Sequence, residues 1–465
     1  MLEGAEMDVI HDLVSSIVNL RYGDLRENVV EATKRFIIDS VGVAIAGSSA
    51  PYNAEIIGLL REWGGKEEST IIVYGNKLPS PEAAFANSLL IDSLDFDDSH
   101  DGSLSHTMVT ALPAALTTAE RTKNDGKALI LAVVVGVEIT TRLGAAPRLF
   151  HGWHYSSIAG VFGAATAAGK ILGLDEEEMV NALGIAYAQA AGNRQGRQDG
   201  ALTKRLQPAF ATKAGVTSAL LAQRGITGAR NIIEGEWGFF RLFRDYSKEF
   251  EPEKWAAKFG EGLGMKFGVL DLDPKAYPCV KASHAAITGT IELVEEYDIR
   301  PEVVEEVTIY TNPKVLETCG KPFVIRTTPQ VDAQFSIPYT VAVALTRRKV
   351  GLSDFEEGRI RDSKILQMAS RVKVLVNTEF QAQTSVTGPV EIRIKTKGRK
   401  EFVGKAFAKG TSHNPMTPDE LARKFHDCAK YSAKPLSDAD IAILKSTLEE
   451  LERVEDLDEM IRLTC

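Results

Sequence analysis

Length, composition and charge narrow the class of this protein before any motif is considered. The chain has 465 residues, of which 44% are hydrophobic and 25% charged, as is typical of a globular protein with two or three domains and a large core. The formal net charge of −9 argues against nucleic acid or an anionic membrane surface as the main partner. An acidic protein that binds an acidic substrate must gather cations in its site.

No segment of the sequence predicts export or insertion into a membrane. No apolar run reaches the roughly 18–20 residues that span a bilayer, and the first residues carry acids in place of the basic start of a secretory signal. A cytoplasmic location is therefore the default expectation. The four cysteines, Cys279, Cys319, Cys428 and Cys465, lack the paired spacing of a zinc or iron–sulfur site and are expected to be free thiols.

The first 265 residues show the apolar spacing that is typical of α-helices. Asp175 and Glu178 form a capping box for one of these helices, which should end near Gly192. The TIIVYGN segment at 70–76 is the one strand that we predict in this half. Further helices are predicted at 29–45, 81–94, 111–120 and 127–143.

The pattern changes after Gly262. Four segments (VEEVTIYTN, RVKVLVN, VEIRIKT and KEFVGKAFA) alternate with period two, and residues 397–399 predict a hairpin turn between the last two. Helices are predicted between them at 284–296 and 334–345, and again after the capping residues Thr417 and Ser437. The sequence thus predicts a mostly α protein: a large all-helical domain, residues 1–265 plus 406–465, with a smaller inserted α+β domain, residues 266–405.

An acidic segment, DSLDFDDSHDGSLSH, lies between two predicted apolar helices. A run of acidic residues is often only a solvated surface. For Asp92 and Asp101 a solvated surface and a functional role are equally good explanations. The other acids alternate with apolar residues, which makes a solvated surface a poorer explanation for them. His106 precedes the apolar TMVTALPAAL and could donate or accept a proton near neutral pH. The acids of the segment are Asp92, Asp95, Asp97, Asp98 and Asp101.

The same aspartates allow a second interpretation. Aspartate-rich motifs hold Mg²⁺ for diphosphate in prenyl-transfer enzymes, where carboxylate oxygens are the preferred ligands. Those proteins normally carry a second acidic motif on a facing helix, and this sequence has no second D-D-x-x-D. We therefore expect no metal site here.

Two further segments carry candidate proton donors and anion-binding groups. His154 precedes Ser156 and Ser157, either of which could cap the following helix and so place the imidazole beside free N–H groups; His151 is interpreted as a bystander. A glycine-flanked loop at 193–215 leads into a helix opened by Thr203, and it suits carboxylate binding. Its cations are Arg194, Arg197, Lys204, Arg205 and Lys213.

The expected junction of the domains carries more candidate site residues. Lys275, Tyr277, Lys281 and His284 come before a small-residue helix, and Cys279 among them has no motif that would make it a nucleophile. Tyr339, in DAQFSIPYTVAVAL, could donate a phenolic hydroxyl, although a core aromatic explains it better. The sequence has no P-loop, G-x-S-x-G or H-E-x-x-H motif. The candidate residues that remain are His, Lys, Arg, Asp and Tyr side chains, which can transfer a proton next to a carboxylate.

Taken in order, these segments resemble the MmgE/PrpD family over nearly the whole chain. The resemblance rests on LDFDDSH with His106 downstream, GWHYSSIAGVFGAATAAGKILGL, DGALTKRLQP, LLAQRGITGARNIIEGEWGFF, YPCVKASHAAI and GTSHNPMTPDEL. It implies a helical domain with a smaller α+β domain, a homodimer, and no metal or organic cofactor. Activities in the family include dehydration of 2-methylcitrate, decarboxylation of cis-aconitate and epimerisation of iminodisuccinate.

The resemblance also implies a set of site residues. Asp97, His106, His154, Lys204 and Lys275 would line the site, with Tyr339 a weaker correspondence. The short SHDGSLSH segment and the arginine-rich GNRQGRQDG loop depart from the dehydratases and keep the epimerase alternative open.

We hypothesise a mechanism for this set. His106 and His154 act as base and acid, Asp97 orients an imidazole, and the substrate carboxylates are held by cations. We expect a lyase or epimerase that acts on a small di- or tricarboxylate, 2-methylcitrate dehydratase-like, with iminodisuccinate epimerase or cis-aconitate decarboxylase as the alternative. The alternative of another class is a non-catalytic carboxylate-binding relative. The expected substrate-binding residues are Arg205, Lys204, Lys275, His284 and Arg194.

Overall fold

The structure, a computed structural model, describes residues 8–145, 152–243, 259–383 and 385–465. His151, interpreted above as a bystander, lies outside these ranges. The described chain is mostly helical with a small α+β portion, as the sequence predicts.

Nine helices of ten or more residues form the first part of the described chain. Asp175 accepts a hydrogen bond from the Glu178 backbone in the predicted capping box, although that helix ends at Tyr187, before Gly192. The nine are α1 (Ile10–Asn19), α2 (Glu27–Gly47), α3 (Asn53–Trp63), α4 (Ser80–Asp92), α5 (Met108–Thr122), α6 (Gly126–Ala145), α7 (Gly160–Leu172), α8 (Glu176–Tyr187) and α9 (Thr203–Ala222). Single-turn helices lie at Tyr155–Ile158, Gln195–Gln198 and Phe239–Leu242.

Small residues let these helices pack closely around α7, which contacts α5, α6 and α9. A Cβ atom added at Gly215 of α9 would lie 2.6 Å from the backbone nitrogen of Ala165, a distance that real side chains do not adopt. The Gly- and Ala-rich segment is therefore the centre of the helical core. Helix α6 is long and apolar enough to cross a membrane by length and composition, but 83% of its most apolar window is buried inside the protein.

The predicted strand at 70–76 is wrong. Only Ser69–Thr70 (β1) and Lys77–Leu78 (β2) pair, and a turn joins them. Gly75 N–H donates to the Ile71 carbonyl, Val73 has a positive φ of 68°, and the Asn87 side chain accepts from Ile72 N–H. The β-branched residues of this segment are buried because they anchor a turn in the core, and side-chain composition alone did not distinguish the two outcomes.

The second part of the chain contains a four-stranded mixed sheet. Its order is β4 (Val372–Val376), β3 (Val304–Thr311), β5 (Val390–Thr396) and β6 (Glu401–Ala406); β3 and β4 are parallel and the other pairs antiparallel. The predicted hairpin joins β5 to β6, with Arg399 at a φ of 60°. The helices here are α10 (His284–Glu296), α11 (Pro313–Cys319), α12 (Pro329–Gln334), α13 (Ile337–Arg347) and α14 (Ser363–Ala369), with a single turn at Glu357–Ile360.

Two main hydrophobic cores follow from this arrangement. The first contains apolar residues between Val9 and Leu272 and between Phe425 and Ile461; the second contains residues between Cys279 and Ala408. The C-terminal helices thus pack back on the helical part, with α15 against α2. Residues 267–272, which the sequence assigned to the α+β domain, pack in the first core. These last helices are α15 (Pro418–Lys430), α16 (Asp438–Glu449) and α17 (Leu457–Arg462).

Candidate active site

The acidic loop between α4 and α5 positions His106. Asp98 accepts hydrogen bonds from Thr107 N–H at 2.9 Å and from Met108 N–H at 3.0 Å, so it holds the start of α5. The His106 Nδ1 atom lies 2.6 Å from the Asp98 carbonyl oxygen and 3.2 Å from Asp97 Oδ2. Because a carbonyl oxygen only accepts, Nδ1 carries a hydrogen and Nε2 is left for other contacts.

Two buried lysines converge on the aspartates of the same loop. Lys204, from the start of α9, lies 2.9 Å from Asp92 Oδ1 and 2.7 Å from Asp95 Oδ1. Lys275 donates to the Asp95 carbonyl at 2.9 Å and lies 3.4 Å from Asp97 Oδ1. A buried carboxylate is tolerated only when it is paired, and these lysines are the partners. Asp92, which a solvated surface explained equally well, is in fact buried.

The pairing changes the proton affinities of the cluster. Burial alone would raise the pKa of the Asp95 carboxyl. The positive charges of Lys204 and Lys275 lower this pKa by more than burial raises it, so it falls below its usual range. Burial also raises the pKa of Asp92, to about 6, against the opposing effect of Lys204. Burial lowers the pKa of His106, but the Asp97 carboxylate more than offsets this, so the pKa is raised above its usual value. His106 is thus favoured as an imidazolium.

His154 has the opposite electrostatic environment. Its backbone N–H donates to the Gly192 carbonyl at 3.2 Å, and its Nδ1 lies 2.8 Å from Ser157 Oγ. Burial, reinforced by the positive charges of Lys204 and His106, lowers the pKa of His154 well below its usual value. His154 is therefore neutral at pH 7. The expected capping serines play other roles, because Ser157 contacts this imidazole and Ser156 accepts from His106 N–H at 2.9 Å.

A pocket of about 890 Å³, including its open mouth, brings these groups together. His106, His154, Lys204, Lys275 and Arg194 all line it, although they come from distant stretches of the sequence. Asp97 lies directly behind His106 and Lys275. The pocket lies between the two cores, where the backbones of Ser99 and Asp273 exchange hydrogen bonds of 2.9 and 2.8 Å.

Besides Asp97, three of the expected site residues do not line this pocket, and they lie elsewhere in the protein. The Arg205 guanidinium donates to Gln330 Oε1 at 2.9 Å and is buried beside it. His284 is fully buried, with Nε2 3.3 Å from the Cys279 carbonyl oxygen. The Tyr339 hydroxyl donates to the Asp354 carbonyl within the second core. Each side chain is thus directed into packed protein. For Tyr339 this is the core aromatic that the sequence favoured, whereas for Arg205 and His284 helical spacing alone did not reveal it.

Three other cations line the pocket: Lys314, and Arg197 and Lys281, which the sequence named as members of candidate segments but did not assign to the site. Arg197, on the single-turn helix Gln195–Gln198, stacks over the Phe335 ring with its guanidinium carbon 5.4 Å from the ring centroid. Lys281 donates to the carbonyl oxygens of Pro274 at 2.9 Å and Lys409 at 3.2 Å. For Arg197 and Lys281 the available signal was proximity in sequence, since each lies in a segment that also supplies an expected site residue; Lys314 lies in none of these segments.

The aspartates of the loop are used within the protein. Asp92, Asp95 and Asp97 face lysine or histidine, and Asp98 accepts from the start of α5. Across the part of the chain that the structure describes, no group of three or more His, Cys, Asp or Glu residues is placed to hold a metal ion. The four cysteines are free thiols.

Comparison with known proteins adds independent evidence. The MmgE/PrpD N-terminal domain model matches residues 11–251, and the MmgE/PrpD C-terminal domain model matches residues 277–450. The chain is 25% identical to a cis-aconitate decarboxylase of Aspergillus terreus, covering 99% of this chain and 96% of the relative. It is 26% identical to the cis-aconitate decarboxylase of Homo sapiens, covering 96% and 92%. It is 22% identical to the 2-methylcitrate dehydratase of Escherichia coli (strain K12), covering 80% and 78%. The chain therefore belongs to the MmgE/PrpD family, whose named relatives are lyases of small carboxylates.

Proposed function

We propose that this enzyme transfers a proton at a carbon next to a carboxylate of a small di- or tricarboxylate, without a metal or an organic cofactor. The observation that carries the proposal is the pair of histidines with opposed proton affinities in one pocket, His106 and His154. A site in which one imidazole is favoured in its charged form and the other in its neutral form can supply an acid and a base to the same substrate.

The two imidazoles take distinct parts in this proposal. His106 is the proton donor, because Asp97 favours its charged form and Nδ1 is already occupied by the Asp98 carbonyl, which leaves Nε2 to deliver the proton. His154 is the acceptor, because the cations around it keep it neutral. Asp97 acts through His106, as a positioning residue.

Lys204 and Lys275 provide fixed positive charge beside the reacting carbon. Their aspartate partners hold the two ammonium groups in place before the substrate arrives. A preorganised cation stabilises the negative charge that develops on an α-carbon or its carboxylate, and it stabilises the transition state more than the ground state.

Decarboxylation is the candidate reaction that we place first. Loss of CO₂ leaves an electron pair that must be protonated on carbon, so the reaction consumes one proton and requires a donor such as the His106 imidazolium. The cis-aconitate decarboxylases match nearly the entire chain, which supports this choice.

Dehydration is the second candidate, and a 2-methylcitrate dehydratase is among the relatives. In that reaction His154 removes the α-proton and His106 protonates the departing hydroxide, so that water leaves. Epimerisation, in which the proton returns on the other face, uses the same two groups.

One experiment separates these reactions and tests the class as a whole. The purified protein is incubated with cis-aconitate, 2-methylcitrate, citrate or iminodisuccinate in heavy water and followed by NMR. Because the His106 proton exchanges with the solvent, we expect decarboxylation to place deuterium on the product carbon that receives this proton. Epimerisation would place deuterium on the inverted carbon, and dehydration would release water without placing deuterium on carbon. A protein that binds these acids but never exchanges a carbon-bound hydrogen or releases CO₂ or water would be a non-catalytic carboxylate-binding relative, and the proposal would be wrong.

The setting of this activity also remains a proposal. We infer that the protein is a cytoplasmic homodimer. It binds its small-molecule substrate and binds neither nucleic acid nor a membrane. The acidic net charge supports the last part of this inference. Light scattering coupled to gel filtration gives the oligomeric state.

A further inference from the structure

The charges around the reacting centre are balanced within the protein. Lys204 and Lys275 face three carboxylates, those of Asp92, Asp95 and Asp97, and His106 supplies the third positive charge when it is protonated. A balanced cluster has little net attraction for an additional anion. A substrate with several carboxylates therefore needs other cations in the pocket to hold them.

Lys281 is one such cation. Its side chain is buried, with 5% of the residue exposed, and it lines the pocket. Its ammonium group is tethered by two backbone carbonyls, and no carboxylate of the described residues lies within ion-pair distance of it. Burial lowers the pKa of Lys281 to about 7, against the more distant Asp273 carboxylate. A buried cation without a counter-charge is costly, and a bound anion would relieve that cost.

Arg197 is the second. Its guanidinium lies over the Phe335 ring, and among the described residues no carboxylate forms an ion pair with it. Lys204 shares this ring, with its ammonium nitrogen 5.8 Å from the centroid. Arg197 therefore lies on the Lys204 side of the pocket. Lys281 lies on the Lys275 side, because its ammonium group donates to the carbonyl of Pro274, the residue that precedes Lys275.

We propose that Arg197 and Lys281 bind two different carboxylates of the substrate, one on each side of the balanced cluster. This inference rests on the proposed function and deepens it: the substrate is a compact acid with at least two carboxylates, and its reacting carbon lies between them, beside Lys204 and Lys275. Carboxylate recognition is thus separate from the groups that stabilise charge during the reaction.

The test measures binding without any reaction. Tricarballylate (propane-1,2,3-tricarboxylate) is the probe, titrated by calorimetry into the full-length protein and into Lys281→Gln and Arg197→Gln. Glutamine keeps donors for the carbonyls of Pro274 and Lys409 but removes the charge. A charge-assisted hydrogen bond contributes about 1.5–3 kcal/mol, so each substitution should raise Kd roughly 10- to 100-fold. Lys213→Gln, on α9 but paired with Glu82 away from the pocket, is the matched control and should leave Kd unchanged.

Two further comparisons test whether the carboxylates are different ones. The double variant should lose affinity by the product of the two single losses, since independent contacts add in free energy. Butyrate, with one carboxylate, should bind the unaltered protein far more weakly than tricarballylate. A double variant no weaker than either single variant, or butyrate as tight as tricarballylate, would overturn the two-carboxylate assignment.

The outcomes also separate this inference from the proposed function. If the unaltered protein binds tricarballylate and both glutamine variants bind it equally well, the proposed function stands and the assignment of Arg197 and Lys281 is wrong. If the unaltered protein binds no tricarballylate, citrate or succinate, both proposals are wrong. Thermal unfolding of each variant shows whether it is folded. If Lys281→Gln does not fold, the affinity of Arg197→Gln tests the assignment, because Arg197 is only half-buried. In that case Lys281→Arg, which keeps the charge, should retain binding.

Discussion

The His106 and His154 imidazoles have pKa values shifted in opposite directions, and the difference arises from the charges of their neighbours. A carboxylate oxygen lies 3.2 Å from His106, whereas the groups that act on His154 are cations. Burial alone would make both imidazoles neutral. The Asp97 side chain is therefore what favours the charged form in one of two partly buried histidines.

Removing the imidazole of His106 tests its part in the reaction. A positioned acid–base group contributes roughly 100- to 10,000-fold to the rate, so His106→Ala should lower kcat by that factor. Steady-state kinetics on the substrate identified by the NMR panel give the number. His426→Ala, which removes an exposed histidine paired with Asp438, should leave kcat unchanged. An equal rate in His106→Ala would show that another group donates the proton.

The pH dependence of the reaction should report the same residue. In the proposed reaction His106 loses the proton that it donates as the pH rises through its pKa. The Asp97 carboxylate raises this pKa by more than burial lowers it. In Asp97→Asn the attraction disappears, so the fall in kcat/KM should move to lower pH, and the NMR titration of the His106 ring should move with it. Asp438→Asn is the control, because it removes the carboxylate from the surface pair with His426 at the same 3.2 Å separation. A profile that does not move in Asp97→Asn would assign the titration to another group.

At the scale of single residues, the sequence could identify the chemistry but not the direction of each side chain. His106, His154, Lys204 and Lys275 were recognisable because polar residues in apolar or glycine-rich surroundings are unusual. Arg205 follows Lys204 directly, yet its guanidinium extends to Gln330, outside the pocket lining. One position along a helix turns a side chain by about 100°, and only the neighbouring elements show which direction is open.

At the scale of elements, the site depends on how α9 is fastened to the loop after α4. Lys204 lies in the first turn of α9 and ties it to Asp92, at the end of α4, and to Asp95. Lys204→Met removes the cation and leaves both carboxylates buried without that partner. Breaking a buried pair from one side costs about 3–5 kcal/mol, so the free energy of unfolding measured in urea should fall by that amount.

Lys213 provides the matched comparison on the same helix. Its ion pair with Glu82 is partly exposed, with 35% of the lysine side chain accessible. Solvent screens such a pair, and Lys213→Met should change the free energy of unfolding by less than about 1 kcal/mol. Equal losses in the two methionine variants would mean that the cluster around Lys204 is not a buried network.

The elements themselves were predictable where the local signals agreed. Capping boxes at Asp175 and Thr417 predict the starts of α8 and α15, because a capping box is formed by hydrogen bonds between residues only three positions apart. The strand at 70–76 failed because its β-branched residues face the core from a turn, which depends on the distant Asn87. The helix predicted at 334–345 is interrupted before Ser336, whose hydroxyl caps α13.

At the scale of the whole molecule, the pocket exists because residues far apart in the sequence meet between two cores. Lys275 reaches Asp95 across 180 positions, and the C-terminal helices return to the first core, with Lys424 2.7 Å from Asp39. The periodicity of apolar residues predicts a helical part and an α+β part, but not which residues of the two parts meet. The family resemblance provided that information, since its motifs come from both parts of the chain.

The charges that meet at the pocket from distant parts of the chain also yield a prediction about cofactors. A divalent ion would need several carboxylate oxygens. Asp92, Asp95 and Asp97 are already neutralised by Lys204, Lys275 and His106, Asp98 accepts from the start of α5, and Asp101 accepts from Val386 N–H. We therefore expect that dialysis against EDTA leaves kcat unchanged, and that Mg²⁺ or Zn²⁺ added afterwards does not increase it. The lysine ammonium groups would then supply the positive charge that a metal supplies in other lyases, through fixed side chains. Loss of activity on chelation, restored by one particular ion, would show instead that these carboxylates exchange lysine for a metal when substrate binds.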